Sequence, residues 1–260
     1  MTPDRAEWQA IAQEAGLDPD AADSRRQVCL ALAGTLAKAG DSLWVIGSIF
    51  GGDRVSGASP FQFGSDAVVG LATVTQIGGE LCSGIITLLD HDNRYGAMAL
   101  LRQLVEVEYL AWAFAEDNEE AANWLRSDKE ARRRMWQPRH LRERSGDRFR
   151  GKDYQMHCEL GGHPTPEGRP LLPDHERMSS FWWWYELAVH GVSVWEYVTT
   201  ASALADYSTH TNSAAKESGL DDKIKRWRDT DRLKDITIGA SDLAEAERIA
   251  GGAIRFVDRR

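Results

Sequence analysis

Three pairs of residues in this chain have types and spacings that could do chemistry. Arg150 and His157 stand seven positions apart, and on a helix they would project within about 20° of each other. Held against RNA by a basic surface, such a pair suits metal-independent cleavage. Histidine moves the 2′-hydroxyl proton, and arginine stabilises the charge that builds on phosphorus. Gly151 stands where that helix would begin, and a solvated basic face is the plainer alternative. Arg102 and Glu106 are four apart among Leu100, Leu101, Leu104, Val105, Val107 and Leu110. They read either as an internal ion pair, because charges are costly to bury unpaired, or as the polar lining of a pocket inside a bundle. Glu186 and His190 repeat the four-residue step. They could place two ligands on one metal, with Glu106 or Glu108 completing a mononuclear site, or His190 could be a hydrogen-bonded core histidine. The Glu-x-x-His step on two helices that marks carboxylate-bridged di-iron bundles is not present.

The elements that must position these residues are helical nearly throughout. Thr2-Pro3 reads as the start of a short helix that stops near Gly16, and Asp20 or Asp23 as the start of a second that ends at Gly40. Residues 41–50 are apolar and could extend that run, and residues 51–64 form a loop rich in Gly, Ser and Pro. Its Gly51-Gly52-Asp53-Arg54-Val55-Ser56-Gly57 stretch lacks the Lys-Ser/Thr of a phosphate-binding loop and reads as a plain connection or a binding loop. Ser65-Asp66 caps a long apolar helix to about Leu89, and a central helix follows from Arg94 to Glu116, apolar on most sides. Asn118 and Ser127 cap two short helices, Pro138 interrupts, and residues 161–173 are irregular. A long aromatic helix spans about Asp174 to Tyr207, with Met178, Phe181, Trp182, Tyr185, Val189, Val192 and Trp195 at steps of three and four. The tail beyond Thr209 is more polar, and Ser241 would cap a last helix over Leu243 to Ile249. The expected fold is all-α: a multi-helix bundle with a basic, irregular insertion. Its expected organisation is N-terminal helices and loop over 1–64, a central bundle over 65–208 and a polar helical tail over 209–260.

The chain has 260 residues, a net charge of −9 and 27% charged residues, values of a globular protein rather than a disordered or collagenous one. The charge is uneven. Residues 126–152 hold eleven Lys/Arg against four acids, a local +7, while the rest carries twenty basic against thirty-six acidic residues, or −16. Three scattered cysteines without CxxC spacing argue against a disulfide framework and for a reducing cytoplasm. Residues 1–16 carry Asp4, Arg5, Glu7 and Glu14 with no apolar run, so no secretory leader is expected. Ala67 to Leu89 is long enough to span a membrane, but Gln76, Glu80 and four glycines favour a buried helix. Consecutive Trp182, Trp183 and Trp184 must cover most of a helix circumference. Core packing with a dimer or partner face accounts for them, and stacking on a base or cofactor is the alternative.

Arg102-Gln103-Leu104-Val105-Glu106-Val107-Glu108-Tyr109-Leu110, followed by Tyr154-x5-Leu160-x2-His163-Pro164, resembles a group of uncharacterised bacterial all-helical proteins. That group has an R-x3-E helix and a later short helix ending in His-Pro, and it is similar in turn to the HEPN superfamily. The resemblance covers roughly residues 65–205. It implies a helical bundle that often dimerises, and many HEPN members are RNases of toxin–antitoxin and phage-defence systems. Their signature is Arg, four to six residues, then His. Arg150-x6-His157 fits the spacing, whereas His163-Pro164 fits the ending but has His157 and Cys158, not arginine, at six and five residues upstream.

The reading that results is an RNA-binding protein that could also cleave RNA, working as a cytoplasmic homodimer without a cofactor or metal. Arg150 with His157 or His163 would be the reactive pair, Arg102 and Glu106 its brace, and Arg132, Arg133, Arg134, Arg139 and Arg142 the phosphate contacts. A second reading is a non-catalytic oligomeric interaction protein whose basic segment grips an acidic partner, for which the −16 remainder of another copy would serve. A third is a helical metalloenzyme using Glu186 and His190 with Glu106.

Overall fold

The computed structural model describes residues 5–14, 18–146, 148–149, 151–172 and 181–231, and the fold is all-α, with no strand among them. Helix α1 (Arg5–Glu14) leads into α2 (Pro19–Ile49), and α3 (Asp66–Asp90) and α4 (Arg94–Glu116) follow. Short helices α5 (Asn118–Arg126), α6 (Lys129–Met135), α7 (Pro138–Arg144) and α8 (Gly151–His157) carry the basic segment. A single π-helical turn (Cys158–Gly162) and a 3-10 turn (Pro166–Leu171) precede α9 (Phe181–Leu204), α10 (Ser208–Ser218) and α11 (Leu220–Thr230). Helices α2, α3, α4 and α9 pack on one another around the apolar core, with α10 and α11 laid against α2.

Local chemistry accounts for most helix ends. The Asp18 side chain accepts from the Asp20 N–H at 2.9 Å with Pro19 at the first helical position, so α2 starts slightly earlier than expected. Ser65 caps α3, Asn93 caps α4, and Asp117 and Asp128, each one residue from the expected caps, start α5 and α6. The expected interruption stands between α6, which ends at Met135, and α7, which Pro138 opens where its missing N–H has no intrahelical partner to lose.

One expectation fails for a tertiary reason. Helix α2 does not stop at Gly40 but continues to Ile49. A Cβ at Gly40 would lie 2.6 Å from Gln76 Cγ and 2.9 Å from the Gln76 nitrogen, so this glycine exists for close approach of α3 rather than for a turn. Gly79 of α3 makes the reciprocal approach, where a Cβ would stand 2.8 Å from the Ala37 backbone nitrogen. Helices α2 and α3 are each long and apolar enough to cross a membrane, and 67% of the apolar window of α3 is buried inside the protein.

The Gly51–Gly64 connection is pinned rather than open. Asp66 accepts from the backbone N–H groups of Val55 and Ser56 and from the Ser56 hydroxyl, and Arg126 Nε reaches the same carboxylate at 2.7 Å. Burial pushes the Asp66 carboxyl up, but these bonds together outweigh it and hold its pKa below the ordinary value. Trp182, Trp183, Trp184 and Tyr185 are all buried within the single chain, so the tryptophan run is core. Arg25 sits over the Tyr185 ring and Arg26 over Trp184 at 5.6 and 5.5 Å. The proposed start of the first helix at Thr2-Pro3, the Asp174–Ser180 part of the aromatic helix and the Ser241 helix lie outside the described residues.

Two alanine substitutions test the close α2–α3 crossing. Gly79→Ala should lower the unfolding free energy by about 1–3 kcal/mol, because the clash is with backbone that must move. Gly34→Ala, whose Cβ meets nothing within 4 Å, should instead gain up to about 1 kcal/mol from helix propensity. Urea denaturation followed by circular dichroism reads both.

Candidate functional site

Helix α4 carries charge on two faces, and each face meets a different part of the chain. On the more open face Arg102 and Glu106 form an i,i+4 ion pair at 2.8 Å, with side chains 25% and 32% exposed. The pair is not closed on itself. The Tyr154 hydroxyl of α8 donates to Glu106 Oε1 at 2.8 Å and accepts from Arg102 at 3.0 Å, while Arg102 Nε reaches Cys158 Sγ at 3.4 Å. Arg142 of α7 lies 4.7 Å from the Tyr154 ring centre, and its Nη1 is buried without a hydrogen-bond partner among the described residues. The π-helical turn can lie on α4 only because residues 161 and 162 lack side chains: a Cβ at Gly161 would stand 2.5 Å from Met98 Cβ, and one at Gly162 would overlap Arg102 Cδ.

Burial pushes the Tyr154 phenol up, and the Glu106 carboxylate adds to that, so its pKa rises to about 12 despite the opposing Arg102. Burial lowers the pKa of Arg102, but its bonds to Cys158 and Tyr154 and the nearby Glu106 outweigh this and the guanidinium is held charged.

The inner face of α4 carries Glu108. Its Oε2 meets His190 Nδ1 of α9 at 2.6 Å, with both residues buried. His190 Nε2 and His157 Nε2 each stand 3.5 Å from Glu186 Oε2, and the two imidazole rings meet edge-on at 5.2 Å. His157 and Glu186 are both 0% exposed. Neither Glu186 oxygen accepts a hydrogen bond among the described residues. An ion of this kind in a dry interior carries a desolvation penalty of several kcal/mol unless paired. Candidate ligand atoms of His157, Glu186 and His190 all lie within 4.8 Å of one another, so these three residues could hold a metal ion.

Of the expected reactive pair only the histidine lies among the described residues. His157, at 0% exposure, faces Glu186 and His190 in the interior rather than the basic surface. Arg150 lies outside the described residues. His163 is exposed just past the π-helical turn, and its carbonyl accepts from Tyr95 at 3.2 Å; its ring has no ion-pair partner among the described residues. For the metal reading, Glu106 is on the wrong face and Glu108 on the right one. Glu108 continues the Leu101, Leu104, Val105 stripe at steps of three, four and seven, a sequence signal for the buried face. Nothing in the spacing announced that His157 would join Glu186 and His190, or that Tyr154 and Cys158 would join Arg102.

The basic segment is largely exposed. Arg132, Arg133 and Arg134 of α6 and Arg139 of α7 all face solvent. Arg139 pairs with Glu143, Arg144 with Glu120 and Arg126 with Asp66, and Arg132 donates to the Ser127 carbonyl. Arg133 and Arg134 have no ion-pair partner among the described residues.

The chain matches no protein-family model, no curated protein and no solved structure.

Two measurements check the site geometry. An ultraviolet phenolate titration should show a tyrosine with a pKa of about 12 that disappears in Tyr154→Phe. Because the unfolded chain releases this proton near 10, stability carried by neutral Tyr154 is present below pH 10 and lost as pH rises through about 12. Thiol reagents on the folded protein should modify Cys158 alone. Cys29 and Cys82 are buried, and burial pushes both thiols up, that of Cys82 to about 12.

Proposed function

We propose that the protein binds RNA through its phosphates, using the exposed arginines of α6 and α7, and that His157 takes no part in cleaving it. One observation carries this reading: the basic segment meets the Arg102–Glu106–Tyr154 cluster at Arg142, whose guanidinium, like that of Arg102, lies over the Tyr154 ring on an otherwise acidic molecule. Arg133 and Arg134 supply charges that no ion pair among the described residues takes up, and Arg132 and Arg139 flank them in sequence. Tyr154, partly exposed between two guanidinium groups, adds an aromatic face beside the phosphate contacts. The resemblance to HEPN proteins supports the same direction, a dimer that acts on RNA in a defence or toxin setting. Single-stranded RNA is the expected ligand class, because phosphate contacts of this kind hold any sequence and stacking tolerates every base.

The gripping of an acidic partner, a second copy included, makes a different prediction for the same residues. Fluorescence anisotropy with labelled single-stranded RNA should show affinity falling as salt rises, with a log–log slope of roughly −3 for about four neutralised phosphates. Reversing Arg132, Arg133 and Arg134 to glutamate should abolish that binding and leave the oligomeric state, read by light scattering, unchanged. Salt-independent affinity, or RNA binding that survives the reversal, overturns the proposal. Loss of the oligomer without any wild-type RNA binding transfers the surface to an acidic protein partner.

A further inference from the structure

We propose that His157, Glu186 and His190 bind one divalent first-row transition metal, zinc foremost, with Glu108 as the outer partner that orients His190. The donor set is two imidazole nitrogens and a carboxylate, the chemistry of zinc and of non-haem iron(II) sites. The spacing suits a metal site: its contacts are of two lengths. In this cluster the His190–Glu108 contact closes to 2.6 Å, so packing permits a short charge-assisted bond. The two contacts to Glu186 do not close: both imidazole Nε2 atoms stop 3.5 Å from the same oxygen. Ligands about 2.0–2.2 Å from zinc in a tetrahedron stand about 3.4 Å apart, so the two 3.5 Å contacts are edges a bound ion would hold, with all three candidate ligand atoms within 4.8 Å of one another.

The second observation is Glu186 itself. It is 0% exposed, is aimed between two imidazoles, and accepts no hydrogen bond at either oxygen among the described residues. A cation at this point would meet the charge that the protein leaves there. With Glu108 ionised, His190 Nδ1 carries the proton that bonds to it, which turns the Nε2 lone pair toward Glu186. Metal-binding histidines are generally oriented in this way by an outer carboxylate. The ligands come from separate elements: His157 ends α8, and Glu186 and His190 share one face of α9. The ion would therefore fasten α8 to α9 from inside. Tyr154 lies three residues before His157 on α8, so the same ion would fix the outward-facing Tyr154–Arg102 cluster. Three protein ligands leave one tetrahedral position, for water or a small anion.

The experiment uses the full chain without a histidine tag, stripped with chelator and titrated with cobalt(II) as a spectroscopic stand-in for zinc. The wild type should take up one cobalt per chain with the intense visible bands of tetrahedral coordination, and zinc should displace it. Zinc should also raise the melting temperature. Glu186→Gln should weaken binding by more than about 100-fold, and Glu108→Gln by roughly 10- to 100-fold as befits an outer partner. Glu159→Gln, an exposed change next to the site in sequence, should bind as wild type. Glu186→Gln removes a buried charge at constant size, so it should fold at least as well as the stripped wild type, and circular dichroism confirms this. The proposal is overturned if the wild type shows neither cobalt bands nor a zinc-dependent melting shift. It is equally overturned if folded Glu186→Gln binds cobalt as tightly as the wild type. Uptake of iron(II) or manganese in preference to zinc would change the ion and keep the site.

Discussion

The arrangement depends on one buried contact, the 2.6 Å bond from His190 of α9 to Glu108 of α4. Helix α9 is so apolar that its packing against α2, α3 and α4 has little to fix its rotation or its height. A charge-assisted bond in a low-dielectric interior does fix them, because losing it would take from the buried Glu108 carboxyl its 2.6 Å partner. Once His190 is locked, Glu186 one turn earlier must also point inward, and His157 of α8 is drawn to the same point. The inner charges thus set the register of α9 and the seat of α8, and through α8 they set Tyr154.

A second set of buried charges fastens the same early turns of α9 to α2 and the end of α11. Arg25 of α2 makes two bonds to Asp231, at 2.7 and 3.0 Å, and Trp227 Nε1 joins the same carboxylate at 2.9 Å. Arg26 reaches Asp90 at 3.3 Å. Both arginines lie over rings at the start of α9, Tyr185 and Trp184. Planar guanidinium groups suit this work, since they can bond in their plane and stack on aromatic faces at once. Residues 209–231 of the polar tail are consequently part of the same body: α10 lies against α2 and α9, and α11 buries Leu220, Ile224 and Trp227 against α2 and the Tyr185 ring of α9. The aromatic abundance of the chain is thereby explained as core and as cover for buried cations.

On the outer face of α4 the logic reverses. Arg102, Glu106 and Tyr154 are linked yet remain partly open, and Arg142 brings the basic helices to their edge. Two sites of different character therefore sit back to back across α4 and α8, one dry and anionic, the other wet and cationic. Residues two apart on α4, Glu106 and Glu108, serve opposite sites because a helix turns about 200° between them.

The all-α class, most helix starts and the central place of α4 were legible in the sequence, because capping residues and the 3.6-residue period act over a few positions. So was the Arg102–Glu106 pair, whose spacing alone puts both on one face. The Pro138 interruption was legible, whereas the Gly40 stop was misread because a glycine at a helix crossing looks locally like a terminator. Its meaning depends on what packs beside it. The meeting of His157 with Glu186 and His190 lay beyond the sequence, since it joins residues about thirty positions apart across α8 and α9. Local chemistry decides which helices form and which faces they bury. Only the closing of the bundle decides which buried charges meet, because that is settled by the rotation of each helix against neighbours far away along the chain.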